Sequence, residues 1–208
     1  MITKNILEKN IYYYENVIEN PDKLIHDIEK IDYALTEETG ISKWSDWSAY
    51  QSNYLFGKQK MIREDFFNKD HEAYAECRDI QKKLIDAILY SSKDYESSHP
   101  GLSIGMLCPI SISKYSVGGY MGKHVDTYDG DESKTISVVL YLNDNYTGGE
   151  IEFEDQDIFV KPTAGSIIVF PSSKPYFHAS KPILSGEKYI VPGFWDNTLK
   201  PRNGSKNG

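Results

Sequence analysis

Two residues in 118-GGYMGKHVDTYDGDE-132 have the types and spacing to do chemistry together: His124 and Asp126, separated by one residue. In an extended segment side chains two apart project to the same face, so an imidazole and a carboxylate can converge on one cation while Val125 turns away. An H-x-D triplet alone also describes a solvated turn, and a metal site needs a third ligand. Among the other four histidines, His26 and His71 fall in segments with helical periodicity and His99 in the turn-like SSHPG. His178, in 176-YFHAS-180, falls instead in a late candidate strand. Two neutral imidazoles and one carboxylate can occupy one face of an octahedral iron(II) ion and leave three positions open.

A 2-oxo acid can fill two of those positions and dioxygen the third. A dicarboxylate of that kind also needs a cation at its far end. Lys188 follows His178 by ten residues across the short Pro/Gly-containing connection 181-KPILSGE-187, so both side chains can enter the same end of a barrel. Tyr115 and Tyr141 fall on the polar faces of candidate strands, suited to hydrogen bonds with the same carboxylate.

The elements that must position these residues are legible in outline. Asn20-Pro21-Asp22 has the composition of a helix start, followed by the stripe Leu24, Ile25, Ile28 and Ile31. Tyr74, Cys77, Ile80, Leu84, Ala87 and Ile88 recur at three- and four-residue steps and predict a second helix from about Asp70 to Ser92. Between them, 44-WSDWSAYQSNYLF-56 mixes aromatic and polar residues without a period, as a loop or a hairpin would. Beyond Pro100 short β-branched segments alternate with Gly, Pro, Asn and Asp, the texture of an all-β sandwich or barrel. Strands are predicted near 109–116, 120–126, 134–143, 149–154, 157–161, 166–171, 176–181 and 187–195. In 134-KTISVVLYLND-144 the residues Ile136, Val138, Leu140 and Leu142 alternate with Thr135, Ser137, Val139 and Tyr141. The aliphatic face is expected under the helices and the Ser/Tyr face toward the inside, where polar groups are costly unless a ligand uses them.

The order Tyr115-x-x-Gly118-Gly119-Tyr120, His124-x-Asp126, Gly148-Gly149-Glu150, Pro162-x-x-Gly165-Ser166, Phe170-Pro171, His178 and Lys188 resembles the iron(II)/2-oxoglutarate-dependent dioxygenases, in their prolyl 4-hydroxylase-like branch. The resemblance covers roughly residues 109–195. It implies a mainly β fold, a double-stranded β-helix (jelly-roll) with helices packed on the larger sheet. It implies iron(II) on His124, Asp126 and His178, 2-oxoglutarate as cosubstrate paired with Lys188 and assisted by Tyr115, and O2. Tyr141 carries over mainly through its strand face. Ascorbate is the expected reductant, and a prolyl residue in a peptide or protein the favoured substrate, with a small molecule as the alternative.

Two rival functions fit part of the pattern. A metal-dependent hydrolase could use the same triad on a metal-bound water but leaves Lys188 without a task. A non-catalytic jelly-roll binding module has no use for an intact triad. At 208 residues the chain is expected to be one domain, with 1–100 as helical support and substrate cover, 101–198 as the β core and 199–208 as a flexible tail. A net charge of −8 argues against nucleic-acid backbone as partner, since that binding rests on clustered Lys and Arg. The two cysteines are too few for a disulfide framework, and no long apolar run suggests a membrane span, so a cytoplasmic setting is expected. Gly148-Gly149 and 162-PTAGSIIVF-170 are explained as a turn and a core strand. Trp44, Trp47, Tyr50 and Tyr54 form a candidate substrate cover, and Asp129, Asp131 and Glu132 the polar tip of a loop beside the metal motif.

Overall fold

The computed structural model describes residues 1–51, 54–63, 66, 74–127 and 133–197. Asp129, Asp131, Glu132, the expected helix start at 70–73 with His71, and the tail at 199–208 lie outside the described residues, as does the side chain of Tyr54. The chain opens with a hairpin, β1 (Thr3–Glu8) and β2 (Ile11–Glu15), then α1 (Pro21–Thr39), a second hairpin of β3 (Ser45–Gln51) and β4 (Tyr54–Ile62), and α2 (Tyr74–Ser97). There follow β5 (Met106–Leu107), β6 (Ile112–Tyr115), β7 (Tyr120–His124), β8 (Lys134–Tyr141), β9 (Thr147–Gly148), β10 (Ile151–Phe153) and β11 (Ile158–Val160). The chain then adds β12 (Ser166–Pro171), β13 (His178–Ser180), β14 (Ile183–Ser185) and β15 (Lys188–Asp196).

All pairings are antiparallel, in the order β1-β2-β12-β8-β15-β6-β4-β7-β13-β10-β11, with β3 on β4, β5 on β15, and β14 paired with β9. The architecture is mainly β with two helices, a sheet curled toward a barrel. The eight strands expected after residue 100 are all present. The first hundred residues are less helical than expected, because two hairpins enlarge the sheet. The β1–β2 hairpin escaped the sequence reading for a physical reason. Ile11, Tyr12, Tyr13 and Tyr14 are all buried, Tyr12 and Tyr14 on one face and Ile11 and Tyr13 on the other, so no apolar/polar alternation marks the strand. The aperiodic segment 44–56 contributes to the second hairpin.

The first helix begins where expected, and the second ends later than expected. Asn20 precedes α1 in a left-handed conformation (φ 50°) and makes no side-chain cap, so Pro21 rather than a capping amide fits the helix start. Helix α2 runs past Ser92 to Ser97 because its serines turn inward: Ser91 Oγ donates to the carbonyl of Ala87, and Ser92 Oγ accepts from Trp195 Nε1 at 2.8 Å. Leu24, Ile28, Leu84 and Ile88 from the helices share one core with Ile136, Val138 and Leu140 from β8 and Leu142 just past its end. Each such fully buried aliphatic side chain contributes about 1.5–3 kcal/mol. The opposite face of β8, with β6 and β15, carries Ser137, Tyr141, Tyr115 and Lys188 into the interior.

Candidate active site

His124 and His178 face each other across β7 and β13 as a register pair, which sets their ring centroids 4.3 Å apart. Each ring is held by the same local device. Nδ1 of His124 lies 2.7 Å from the carbonyl oxygen of Gly122, and Nδ1 of His178 lies 3.2 Å from that of Tyr176, in both cases two residues back. A carbonyl can only accept, so Nδ1 carries the proton and the neutral rings present bare Nε2 atoms. Asp126 lies just past the end of β7, its N–H bonded to the carbonyl of Ser172. Its carboxylate oxygens sit 3.5 Å from His124 Nε2 and 3.6 Å from His178 Nε2. The three ligand atoms lie within 4.8 Å of one another, and the group could hold a metal ion. A nitrogen–nitrogen–carboxylate donor set suits iron(II), so the residues present fit the ion that the sequence resemblance implies.

The electrostatics favour a cation. Burial pushes the Asp126 carboxyl up, but His178, His124 and the Ser137 hydroxyl outweigh it and hold the group down at about 2. Burial lowers His178 to about 4 despite the nearby Asp126, so its imidazole is neutral at physiological pH. For His124 burial opposes the charge, and the Asp126 carboxylate beside Nε2 reverses the outcome and raises it. The Asp126 carboxylate is fixed from behind: Ser137 Oγ donates to its Oδ2 at 2.5 Å, and Ser137 Oγ lies 2.8 Å from Ser172 Oγ, both serines buried. Ser137→Ala removes the donor that orients this carboxylate. Partners of this kind are worth about 10- to 100-fold in metal affinity, so the variant should bind cobalt(II) in that measure more weakly in a spectroscopic titration. Unchanged affinity would assign the serine pair to packing.

Lys188 begins β15 and is 1% exposed. Its Nζ donates to the carbonyl of Gly149 at 2.6 Å and to Ser180 Oγ at 2.8 Å. No carboxylate lies within ion-pair distance of it among the described residues, and burial pulls it down from 10.5 to about 7, opposed by the charge of Glu150. The rings of Tyr115 and Tyr141 flank it, their centroids 5.4 and 5.3 Å from Nζ. Tyr115, Tyr141 and Lys188 line the same cavity as the two histidines and Asp126, a space of about 600 Å³. The six residues singled out from the sequence thus converge. Gly149 and Ser180 were missed as support for the lysine. Gly149 holds φ +69°, and a Cβ there would lie 2.5 Å from Ile183 and 3.2 Å from Lys188 Cδ. The Gly-Gly pair is therefore more than a turn, since its compactness lets the backbone carbonyl reach the buried ammonium.

The outer wall of the cavity comes from the second hairpin. Trp47, Tyr50, Phe56 and Met61 line it, facing Met121 and Phe177. Gly57 makes room there, because a Cβ would stand 2.7 Å from Met121 Sδ and 2.8 Å from the Trp47 ring. The β3–β4 register skips Phe56, the extra residue of a bulge in β4 opposite Ala49 and Tyr50, and Tyr50 and Gln51 line the cavity together with Trp47. Trp44 does not belong to this wall. It is 8% exposed, gives its Nε1–H to Glu29 at 3.3 Å and stacks edge-on against Tyr189 in the helix-side core.

With that geometry in place, comparison with known proteins bears on the same core. Residues 110–196 match the family model of the 2OG-Fe(II) oxygenase superfamily. Over that stretch, less than half of the chain, the sequence is similar to that superfamily. The chain is 33% identical over 127 residues to a PKHD-type hydroxylase of Prochlorococcus marinus, a match covering 58% of this chain and 52% of the relative. A PKHD-type hydroxylase of Rippkaea orientalis is 33% identical over 97 residues, 43% of each chain. The chain thus spans about half the length, or less, of these curated relatives. Among solved structures, a prolyl hydroxylase of Trichoplax adhaerens in complex with a hypoxia-inducible-factor peptide fragment superposes with a TM-score of 0.67 at 14% identity, covering 90% of this chain and 84% of that one. A Pseudomonas putida prolyl-4-hydroxylase gives 0.56 at 18% identity, covering 90% and 92%. At these identities the likeness is one of fold. Among the described residues no helix is long and apolar enough to cross a membrane.

Proposed function

We propose that the chain is an iron(II)- and 2-oxoglutarate-dependent hydroxylase acting on a C–H bond, and that its substrate is a prolyl residue in a peptide or protein. The observation that carries this reading is Lys188. A buried ammonium with no carboxylate within ion-pair distance among the described residues opposes folding, and it sits in the cavity that holds the His/Asp/His group. A ligand carboxylate would supply a partner charge, and Tyr115 and Tyr141, which line the same cavity, would hydrogen-bond it. His124, Asp126 and His178 would hold the iron, which when bound supplies the oxidising chemistry that inserts one dioxygen atom into the C–H bond as 2-oxoglutarate becomes succinate and CO2. The barrel-like sheet is then a double-stranded β-helix whose walls keep water from the reacting groups.

The substrate assignment rests on the names of the relatives and on the entrance. Trp47, Tyr50, Phe56 and Phe177 make a flat-sided apolar mouth, suited to a proline ring in an extended chain. The chain, loaded with iron(II) and 2-oxoglutarate and supplied with ascorbate and 18O2, should convert a proline-containing peptide to a product about 18 Da heavier. Succinate should form in step, with the added oxygen derived from the gas. No succinate above an iron-free control would overturn the oxygenase reading, and turnover with only free amino acids hydroxylated would move the substrate to small molecules.

A further inference from the structure

Gln59 lies on β4 opposite Trp47 of β3 and on the same strand face as Met61, and all three line the cavity. It is 8% exposed, and its Oε1 is buried without a hydrogen-bond partner among the described residues. An unpaired amide oxygen in such a place weakens the fold, and an apolar side chain of the same length would serve packing better. The chain keeps at this place an amide whose oxygen has no partner among the described residues, the pattern of a group available to a ligand.

The chemistry of that ligand follows from what the oxygen lacks. Oε1 only accepts, so its partner must bring an N–H or O–H. 2-Oxoglutarate as a dianion has no such hydrogen, nor has dioxygen, so neither can satisfy it. The donor must belong to the molecule being oxidised. An ammonium is a poor fit, because among the described residues the charged side chains lining the cavity are Lys134, Lys174, Lys188 and one carboxylate, Asp126, which the triad already uses. A neutral N–H or O–H remains, and an extended peptide carries neutral N–H donors all along its backbone. We propose that Gln59 is a specificity-determining residue whose side-chain oxygen accepts a hydrogen bond from a backbone N–H of the peptide substrate. Proline has no backbone N–H, so the donor belongs to a residue flanking the target. This inference rests on the hydroxylase reading above and adds to it the feature that would separate a peptide from a free small molecule.

The test uses the full iron-loaded chain, its Gln59→Met variant and, in parallel, Gln59→Leu. The probe is a panel of acetylated, amidated peptides each containing one proline, with every backbone N–H methylated in turn in the best of them. One neutral hydrogen bond corresponds to about a three- to tenfold change in affinity. Gln59→Met should raise the peptide KM by that factor, with the rise falling on the peptide and not on 2-oxoglutarate. N-methylation at one flanking position should cost the unaltered enzyme the same factor and the variant nothing. Without ligands the variant should melt no lower, and up to about 2–4 °C higher, because an unpaired buried polar group has gone. An equal N-methylation penalty in both proteins, or failure of both variants to fold, would make Gln59 structural and overturn the proposal. Succinate formation that no peptide accelerates would overturn the peptide assignment while leaving the oxygenase intact. No succinate under any condition would instead remove the reading on which the inference rests.

Discussion

Replacing His124, Asp126 or His178 with alanine is expected to reduce succinate formation to near background. Among the described residues these form the one group of three or more His, Cys, Asp or Glu residues that could hold a metal ion, with ligand atoms within 4.8 Å of one another. Outer partners of a metal ligand already cost about 10- to 100-fold when removed, so loss of a ligand should cost more than about a hundredfold. The three variants should not fail alike. Asp126→Ala removes the negative charge that draws the cation and the carboxylate that Ser137 Oγ donates to, so metal affinity and turnover should fall together. His178→Ala opens a gap against Phe153 and Phe170, whose ring centroids lie 5.7 and 4.7 Å from the imidazole, and should lower the melting temperature as well. His124→Ala lies nearer the mouth, against Phe56 at 6.0 Å, and should disturb the fold less. Titration with cobalt(II), followed by its visible absorption and by succinate assays with iron(II), checks each point. Full turnover by Asp126→Ala would exclude this triad, whereas a bound zinc ion would not, because divalent ions exchange in sites of this kind.

What the sequence revealed and what it concealed divide along physical lines. His124, Asp126, His178 and Lys188 could be found because chemistry restricts both residue type and spacing, and the period-two pattern of 134-KTISVVLYLND-144 correctly separated the helix-facing aliphatics from the inward Ser137 and Tyr141. The first hairpin was hidden because Tyr12 to Tyr14 are buried on both faces, which erases alternation. Trp44 was grouped with Trp47 because they are neighbours in sequence, yet they pack on different sides of the sheet. Gln59 gave no signal at all. In KQKM it looks like one polar residue among lysines, and only the β4 register shows Lys58 and Lys60 pairing with Tyr120 and Lys114 while Gln59 lines the cavity. Backbone groups such as the Gly149 carbonyl have no signature in residue type beyond the glycine that lets them approach.

Lys188→Ala should raise the 2-oxoglutarate requirement while leaving metal binding nearly intact. Loss of one partner of a buried, hydrogen-bonded charge pair costs about 2–5 kcal/mol, or roughly thirty- to several-thousand-fold in affinity. Geometry supports the upper part of that range. An ammonium has three donors, and Gly149 and Ser180 take two, which leaves one for the distal carboxylate in a site shielded from water. The free-state pKa near 7 adds a signature that packing alone would not give. A carboxylate binds the protonated lysine, so affinity should be level below about pH 7 and fall as pH rises above it, approaching tenfold per unit until the pKa of the complex is reached. Binding above pH 7 should therefore take up a proton, measurable by calorimetry in buffers of different ionisation enthalpy. Lys188→Arg keeps the charge at every accessible pH, so it should bind more weakly than lysine through altered geometry but lose this dependence on the lysine's titration. Lys188→Met supplies the stability control: it removes a buried cation that has no carboxylate within ion-pair distance among the described residues, and should melt no lower than the unaltered chain. Equal 2-oxoglutarate affinities for the unaltered protein and Lys188→Ala would remove the cosubstrate role and return the hydrolase and binding-module readings to contention.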